Sequence, residues 1–440
     1  MNRNFENQKA NRFSPTDRIA VVVTRFLQIE AAGGFVLLAA AVFALVWANS
    51  TWSHSYHDLL DKNIGITLNT FTLDLSLHEV INDGLMTIFF FLVGLEIKRE
   101  LTTGELRGFR AAALPIAAAL GGMIAPALIY YTLQAGTPGE KGWGIPMATD
   151  IAFAVGFLSL LGSRVPKSLI VFLLAFAIAD DLGAIAVIAI FYTKALNFLP
   201  LILGSCGLLG ILVMQRMGIR SVPIYILAGL LIWLAFYKSG IHPTVAGVLL
   251  GFLTPMSAKL SLPEFRDKTR ALAAQVELEP QIVARQLDQL ERDSLSPLDR
   301  IEDRLHLWVA YGIMPLFALA NAGVAISSGI FDDSVGSSVA LSVAVALMVG
   351  KPVGIVAASW ITTKIGLTRL PSNCNWGHML GIGVLGGVGF TVALFIATLS
   401  FDSPSVLDAA KLGILAGSAA AALLGLSILA LVTRKSPETR

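Results

Sequence analysis

LLAFAIADDLGAIAVIAI, residues 173–190, decides how the whole chain is read. Asp180 and Asp181 are the only charges in an apolar run close to the bilayer-spanning length of about 20 residues. An acid at mid-bilayer is unfavourable by about 2.5–3.5 kcal/mol, so two adjacent ones require partners or a water-filled cavity. Successive helical residues point about 100° apart, so the two carboxylates have different neighbours. The economical division leaves one facing an aqueous ion path and the other paired with a base.

Two more charges lie as deep: Asp150 in WGIPMATDIAF (143–153) and Lys351 in ALMVGKPVGIV (346–356). In a low-dielectric site neighbouring carboxylates disfavour each other's ionisation and an ammonium favours it, which suits the set to proton exchange. The plainer reading, ion pairs that only fix helix packing, leaves three acids against one base and an excess of negative charge.

The rest of the chain is built to the same plan. It is 55% hydrophobic and 14% charged, against about a quarter charged in a soluble domain. Apolar runs recur from Phe35 to Val432, so a single cleaved leader does not explain them. Gly, Pro and charge as punctuation give about twelve transmembrane helices in an all-α polytopic membrane protein, with cores at 31–49, 81–101, 111–133, 145–161, 168–192, 198–215, 222–237, 242–254, 307–327, 338–362, 377–400 and 406–433. Lys and Arg fall on alternate loops, which places both termini in the cytoplasm. Residues 1–25 and 434–440 read as cytoplasmic tails around one transporter domain, 26–433. The first tail is expected to be without regular structure.

Two loops within that domain are expected to be structured. Residues 62–79, KNIGITLNTFTLDLSLHE, alternate apolar and polar side chains around an Asn-Thr break, the pattern of a short periplasmic β-hairpin whose edge could pair with a second copy. The cytoplasmic loop 255–306 contains QIVARQLDQLERD (281–293), a solvated helix by its spacing. Cys206 and Cys374 lack CxxC spacing and the six histidines lack a paired spacing, so neither a disulfide nor a metal cofactor is expected; nor is a nucleic-acid partner.

Spans four and eleven read as broken helices. Span four carries Pro146, Thr149 and Asp150; span eleven, GIGVLGGVGFTVALF (381–395), carries Gly381, Gly383, Gly386, Gly387 and Gly389. Interrupted segments in corresponding halves point to a secondary transporter's binding site, because open backbone survives in a membrane only where it lines a cavity or is buried. For span eleven the alternative is close helix packing through a GxxxG pair. Spans three (ALPIAAALGGMIAP, 113–126) and ten (ALSVAVALMVGKP, 340–352) share an outline, so spans three to five and ten to twelve form inverted repeats with the broken helices crossing. Asp150 then suits exposed N–H ends and Lys351 exposed carbonyl ends.

The chain strongly resembles the bacterial Na+/H+ antiporter family NhaA through 82–101, 147–162, 177–193, 240–252, 315–324, 349–355 and 386–397. The resemblance implies an inner-membrane antiporter exchanging cytoplasmic Na+ or Li+ for external protons, electrogenic and pH-regulated. It implies cation binding at Asp180 and Asp181, with Asp181 the direct ligand and Asp180 the partner of Lys351, supported by Thr149 and Asp150. It also implies a pH response through Glu96, Arg99, Glu100 and Glu302; Asp303 stands where the family pattern has a histidine. The plainer alternative for Glu96, Arg99 and Glu100 is interfacial charge reaching for water. His242 either joins the pH response, being of a residue type that titrates in the physiological range, or packs beside Pro243, and Asp83 either lines an outer funnel or caps a helix. A homodimer through the hairpin is the expected assembly.

Other classes fit less well. A Na+-coupled symporter for an organic anion calls for more neutral polar residues within its spans. An intramembrane aspartyl protease needs GxGD, where this chain has ADDLG. A passive channel conflicts with a lysine in the ion path.

Overall fold

The computed structural model describes residues 15–68, 71–193, 195–219, 222–257, 262–273, 286, 290, 294–326 and 334–433. In chain order its principal helices are α1 (Pro15–Ala48), α2 (Ser53–Leu60), α3 (Met86–Thr102), α4 (Phe109–Gln134), α5 (Ile151–Ser159), α6 (Lys167–Phe191), α7 (Phe198–Arg216), α8 (Val222–Ser239), α9 (Thr244–Leu253), α10 (Leu262–Ala273), α11 (Pro297–Trp308), α12 (Met314–Asn321), α13 (Ser334–Val345), α14 (Lys351–Lys364), α15 (Trp376–Leu385), α16 (Phe390–Ser400) and α17 (Pro404–Thr433). Strands β1 (Asn63–Leu68) and β2 (Phe71–Ser76) pair antiparallel, Asn63 opposite Ser76 and Leu68 opposite Phe71. Among the described residues this hairpin is the only sheet. It matches the expected 62–79 hairpin, held at its end by a Ser76–Glu79 capping box.

Among the described residues, six continuous helical stretches are long and apolar enough to cross a membrane: Leu77–Thr102, Arg110–Gln134, Lys167–Phe191, Phe198–Arg216, Val335–Lys364 and Pro404–Thr433. Two bent pairs, Ala32–Ala48 with Ser53–Leu60 and Trp376–Leu385 with Phe390–Ser400, raise the number to eight at most. The remaining expected cores coincide with shorter helices: α5, α8, α9 and α12. Three π-helical turns, Val80–Leu85, Val309–Ile313 and Ala346–Gly350, interrupt otherwise continuous helices. The first tail is expected to be without regular structure, yet α1 begins at Pro15 and makes residues 15–25 helical; an apolar run from Ile19 to Val23 leads into the first span without a breaker. Residues 1–14, 434–440 and nearly all of 281–293 lie outside the described residues.

The chain divides into two compact units. One comprises Met1–Asp58, Arg110–Ala184 and Met314–Arg440. In it α17 packs on α13, α15 and α16, while α1 lies along α5 and α12. Its tightest crossing joins α4 to α14. A Cβ on Gly354 would run into the Gly121 carbonyl, and one on Gly121 into the Gly354 carbonyl, so only glycine lets the two backbones meet. The other unit, Leu59–Phe109 and Ile185–Ile313, has α3 against α9 and α7 against α8. The α3–α9 crossing again uses glycine, since a Cβ on Gly247 would run into the Thr87 carbonyl oxygen and one on Gly94 would stand 2.6 Å from the Val248 carbonyl oxygen.

The crossing is tested by Gly354→Ala, which should destabilise the folded protein by about 1–3 kcal/mol through overpacking. The measurement is the thermal unfolding midpoint in detergent. Gly210, where an added Cβ meets open space, is the control, and Gly210→Ala should leave the midpoint unchanged or higher.

Candidate functional site

The first half of span four is a 3-10 segment, Pro138–Met147, and it stops at Met147. Residues 148–150 are not helical, and α5 starts only after Asp150. Pro146 and Asp150 account for this locally, since proline withholds an N–H donor and Asp is a strong N-cap. In span eleven the Gly386–Gly389 turn separates α15 from α16, bent by 47°.

The two breaks meet. Asp150 N–H donates to Val388 O at 2.7 Å, and the Thr149 hydroxyl donates to Gly386 O at 2.9 Å. Asp150 then caps two helices at once. Its Oδ1 accepts from Phe153 N–H in α5 at 3.1 Å; its Oδ2 accepts from Thr391 N–H in α16 at 3.1 Å and from the Thr391 hydroxyl at 2.5 Å. The Ser418 hydroxyl oxygen in α17 accepts the Gly389 and Phe390 N–H groups, both at 3.2 Å. The orphan donors of α16 are thus answered by one carboxylate and one hydroxyl.

The opposite charge lies at the carbonyl end. Lys351 opens α14 after the π-helical turn, and its Nζ donates to Met147 O at the end of the Pro138–Met147 segment. The same Nζ pairs with Asp180 Oδ2 at 2.7 Å and lies 5.8 Å from the centre of the Phe176 ring. Asp180 and Lys351 are both 0% exposed, Asp150 1% and Asp181 4%. Asp180 Oδ1 has no hydrogen-bond partner among the described residues. The Thr149 hydroxyl stands beside that carboxylate, but its single proton goes to Gly386 O. An orphaned carboxylate oxygen, a hydroxyl with spare lone pairs and a second carboxylate on the next residue are what a hard cation seeks.

The other unit holds the remaining candidates, in two places. Near the C-terminal end of α3, Arg99 pairs with Glu302 of α11, and His306 Nδ1 lies 3.8 Å from Glu96 Oε1. Glu100 folds back beside Gly104, where an added Cβ would strike its carboxylate. Burial pushes the Glu302 carboxyl up to about 8; Arg99 pulls the other way and is outweighed, while Glu96, Asp299 and Asp303 add to the rise. His242 is not in this cluster. Its Nε2 lies 3.3 Å from Asp83 Oδ1 in the π-helical turn that precedes α3, and its Nδ1 meets the Thr244 hydroxyl at 2.9 Å. Trp233 Nε1 closes the arrangement by donating to Asp83 O and to the Thr87 hydroxyl. Asp83 therefore binds a histidine rather than capping a helix.

Sequence reasoning missed Thr391, Ser418 and His306. Thr391 is the second residue of α16, after its N-cap Gly389, where its N–H is one of the helix's uncovered donors. His306 stands four residues after Glu302, on the same face of one helix.

A model of the family described as Na+/H+ antiporter 1 matches residues 24–429. The Na+/H+ antiporter NhaA of Rhodopirellula baltica is 47% identical over 422 residues, 94% of this chain and 95% of the relative. NhaA 2 of Myxococcus xanthus is 49% identical over 411 residues, 91% and 87% of the two chains. The structure of the sodium proton antiporter MjNhaP1 from Methanocaldococcus jannaschii at pH 8 superposes with a TM-score of 0.53, covering 94% of this chain and 99% of that one. At 11% identity that likeness concerns the fold alone.

The Glu302 cluster gives a signed pH dependence. In the folded protein Glu302 keeps its proton up to about 8, whereas in the unfolded chain it loses it near 4.5. Its contribution is full below about 4.5 and is lost as pH rises through about 8. The thermal midpoint should fall between pH 6 and 9, and fall less in Glu302→Gln; equal slopes would contradict the assignment.

Proposed function

The chain belongs to the NhaA family of Na+/H+ antiporters, a multi-pass membrane transporter and not an enzyme, and from that premise we propose how its buried charges carry out the exchange. Asp181 and Asp180 bind Na+ or Li+ arriving from the cytoplasm, with oxygen donors from the surrounding break. Protons compete for the same carboxylates, so cation and protons occupy the site alternately. A cation drawing Asp180 toward it loosens the 2.7 Å pair with Lys351. A fully buried ammonium is not held charged without its carboxylate, so Lys351 gives up a proton as well. More than one proton then moves per cation and the exchange is electrogenic. Inward proton flow drives Na+ or Li+ out.

The observation that carries this reading is the Asp180–Lys351 pair, wholly buried where two interrupted helices meet. Asp150 and Lys351 compensate the exposed helix ends there, Asp150 at donors and Lys351 at the Met147 carbonyl. Compensation at both ends lets the broken helices move while the site alternates its access.

The wider arrangement follows the Lys and Arg distribution. The chain crosses a bacterial inner membrane twelve times with both termini and the 255–306 loop cytoplasmic, and spans three to five recur inverted as ten to twelve. The β1–β2 hairpin joins two copies into a homodimer. Glu96, Arg99, Glu100 and Glu302, joined by His306, set the pH response at the cytoplasmic end of α3, while His242 with Asp83 acts at its other end.

In liposomes holding a proton gradient, adding Na+ or Li+ should change the internal pH, and Asp181→Asn should abolish the change. Absence of any cation-dependent change between about pH 6.5 and 9 would overturn the reading, and undiminished exchange by Asp181→Asn would move the site elsewhere.

A further inference from the structure

Among the described residues, the side of α14 facing Trp376 and Leu380 is left open along part of its length. Helices α14 and α15 approach closely at Gly383, where an added Cβ would stand 3.3 Å from the Pro352 Cα. Toward the end of α14 and the start of α15 they leave an open groove of about 550 Å³. Pro352, Val356, Ala357 and Trp360 form one wall, and Trp376 and Leu380 the other. The lining is almost all carbon, so water there would lack the two to four polar partners it needs. α14 belongs to a membrane-crossing stretch and α15 to a bent pair that passes the same test, which points the groove at lipid.

Its mouth is amphipathic and cationic. Trp360 and Trp376 stand on either side, residues suited to the membrane–water boundary. Lys364 Nζ lies 4.8 Å over the Trp360 ring. The connection from α14 to α15 adds Arg369, and no Asp or Glu occurs from Lys351 through Phe401. Ser168 Oγ donates to Ser372 O at 2.5 Å, which brings the start of α6, with Lys167, to the same connection. Basic pockets between membrane helices attract anionic headgroups, and each nearby Lys or Arg contributes about fivefold in affinity.

We infer that this groove is a binding site for an anionic phospholipid, one acyl chain lying along Pro352–Trp360 with its phosphate at Lys364. The inference rests on the chain being a membrane protein, not on the ion site proposed above. Because Pro352 directly follows Lys351, the seated chain packs on the first turn of α14, the helix that carries the lysine paired with Asp180.

The test uses the full chain in phosphatidylcholine vesicles containing increasing phosphatidylglycerol with brominated acyl chains, reading tryptophan fluorescence. Brominated phosphatidylglycerol should quench in a saturable step that brominated phosphatidylcholine does not produce. Lys364→Gln should weaken that step about fivefold. Ala357→Phe, which fills the groove and leaves both tryptophans in place, should remove it, as should Trp360→Phe with Trp376→Phe. Identical quenching by the two lipids, or a phosphatidylglycerol step that survives both Lys364→Gln and Ala357→Phe, would overturn the site. So would conversion of a dimer to a monomer by Ala357→Phe, which would make the groove a protein interface. Should Ala357→Phe fail to yield monodisperse protein, Lys364→Gln, a change at the rim, decides the matter alone.

Discussion

The pair between Asp180 Oδ2 and Lys351 Nζ is the constraint on which the rest of this unit depends. Both groups are wholly withdrawn from solvent. Leaving either charge there alone would be far less favourable than leaving both or neither, because a buried ion without its partner keeps its full desolvation penalty. The surrounding architecture reads as a set of answers to that constraint. Lys351 gains a second acceptor in Met147 O only because the Pro138–Met147 segment stops there. α14 comes close enough to α4 only because Gly121 and Gly354 carry no side chains. The 3-10 segment, the break and the glycine crossing thus converge on one ammonium group.

The breaks generate a second electrostatic demand, met from the other side. Two helices, α5 and α16, begin inside the protein with their N–H groups uncovered by a preceding turn. Asp150 answers both, and Ser418 takes two more donors from the Gly389–Phe390 turn. The negative group lies at helix N-termini and the positive group at a carbonyl end, the sense that the peptide dipoles favour. A site so balanced keeps its open backbone satisfied while leaving one oxygen of Asp180 uncommitted. In the proposed exchange, that oxygen, on the residue before Asp181, is where an incoming cation has something to gain.

Much of this was legible in the chain, and the exceptions have physical reasons. Pro146, Thr149 and Asp150 in an otherwise apolar run announced the first break, and the glycines of 381–389 the second, though neither says which residue caps which helix. The hairpin was legible because period-two alternation is a local signal. Lys351 was conspicuous as a charge, but assigning Asp180 rather than Asp181 to it came from family resemblance, since helical spacing alone leaves the pair equivalent. Thr391 and Ser418 were invisible because a hydroxyl in a membrane helix normally bonds its own backbone, as Thr362 does to Ala358 O in α14. His242 was singled out by its residue type alone, and nothing in its own stretch of sequence points to Asp83, far away along the chain, as its partner. The π-helical turn before Lys351 leaves no mark in the apolar pattern of 340–350.

The central claim is that cation and protons compete for one set of buried carboxylates. It is tested most directly by adding Na+ to purified, weakly buffered protein in detergent and measuring protons released into the medium. Competition predicts release on each addition, saturating with Na+, strongest where the site is still protonated, and absent in a variant lacking the Asp181 carboxylate. Saturable Na+ binding with no proton release at any pH would contradict the account.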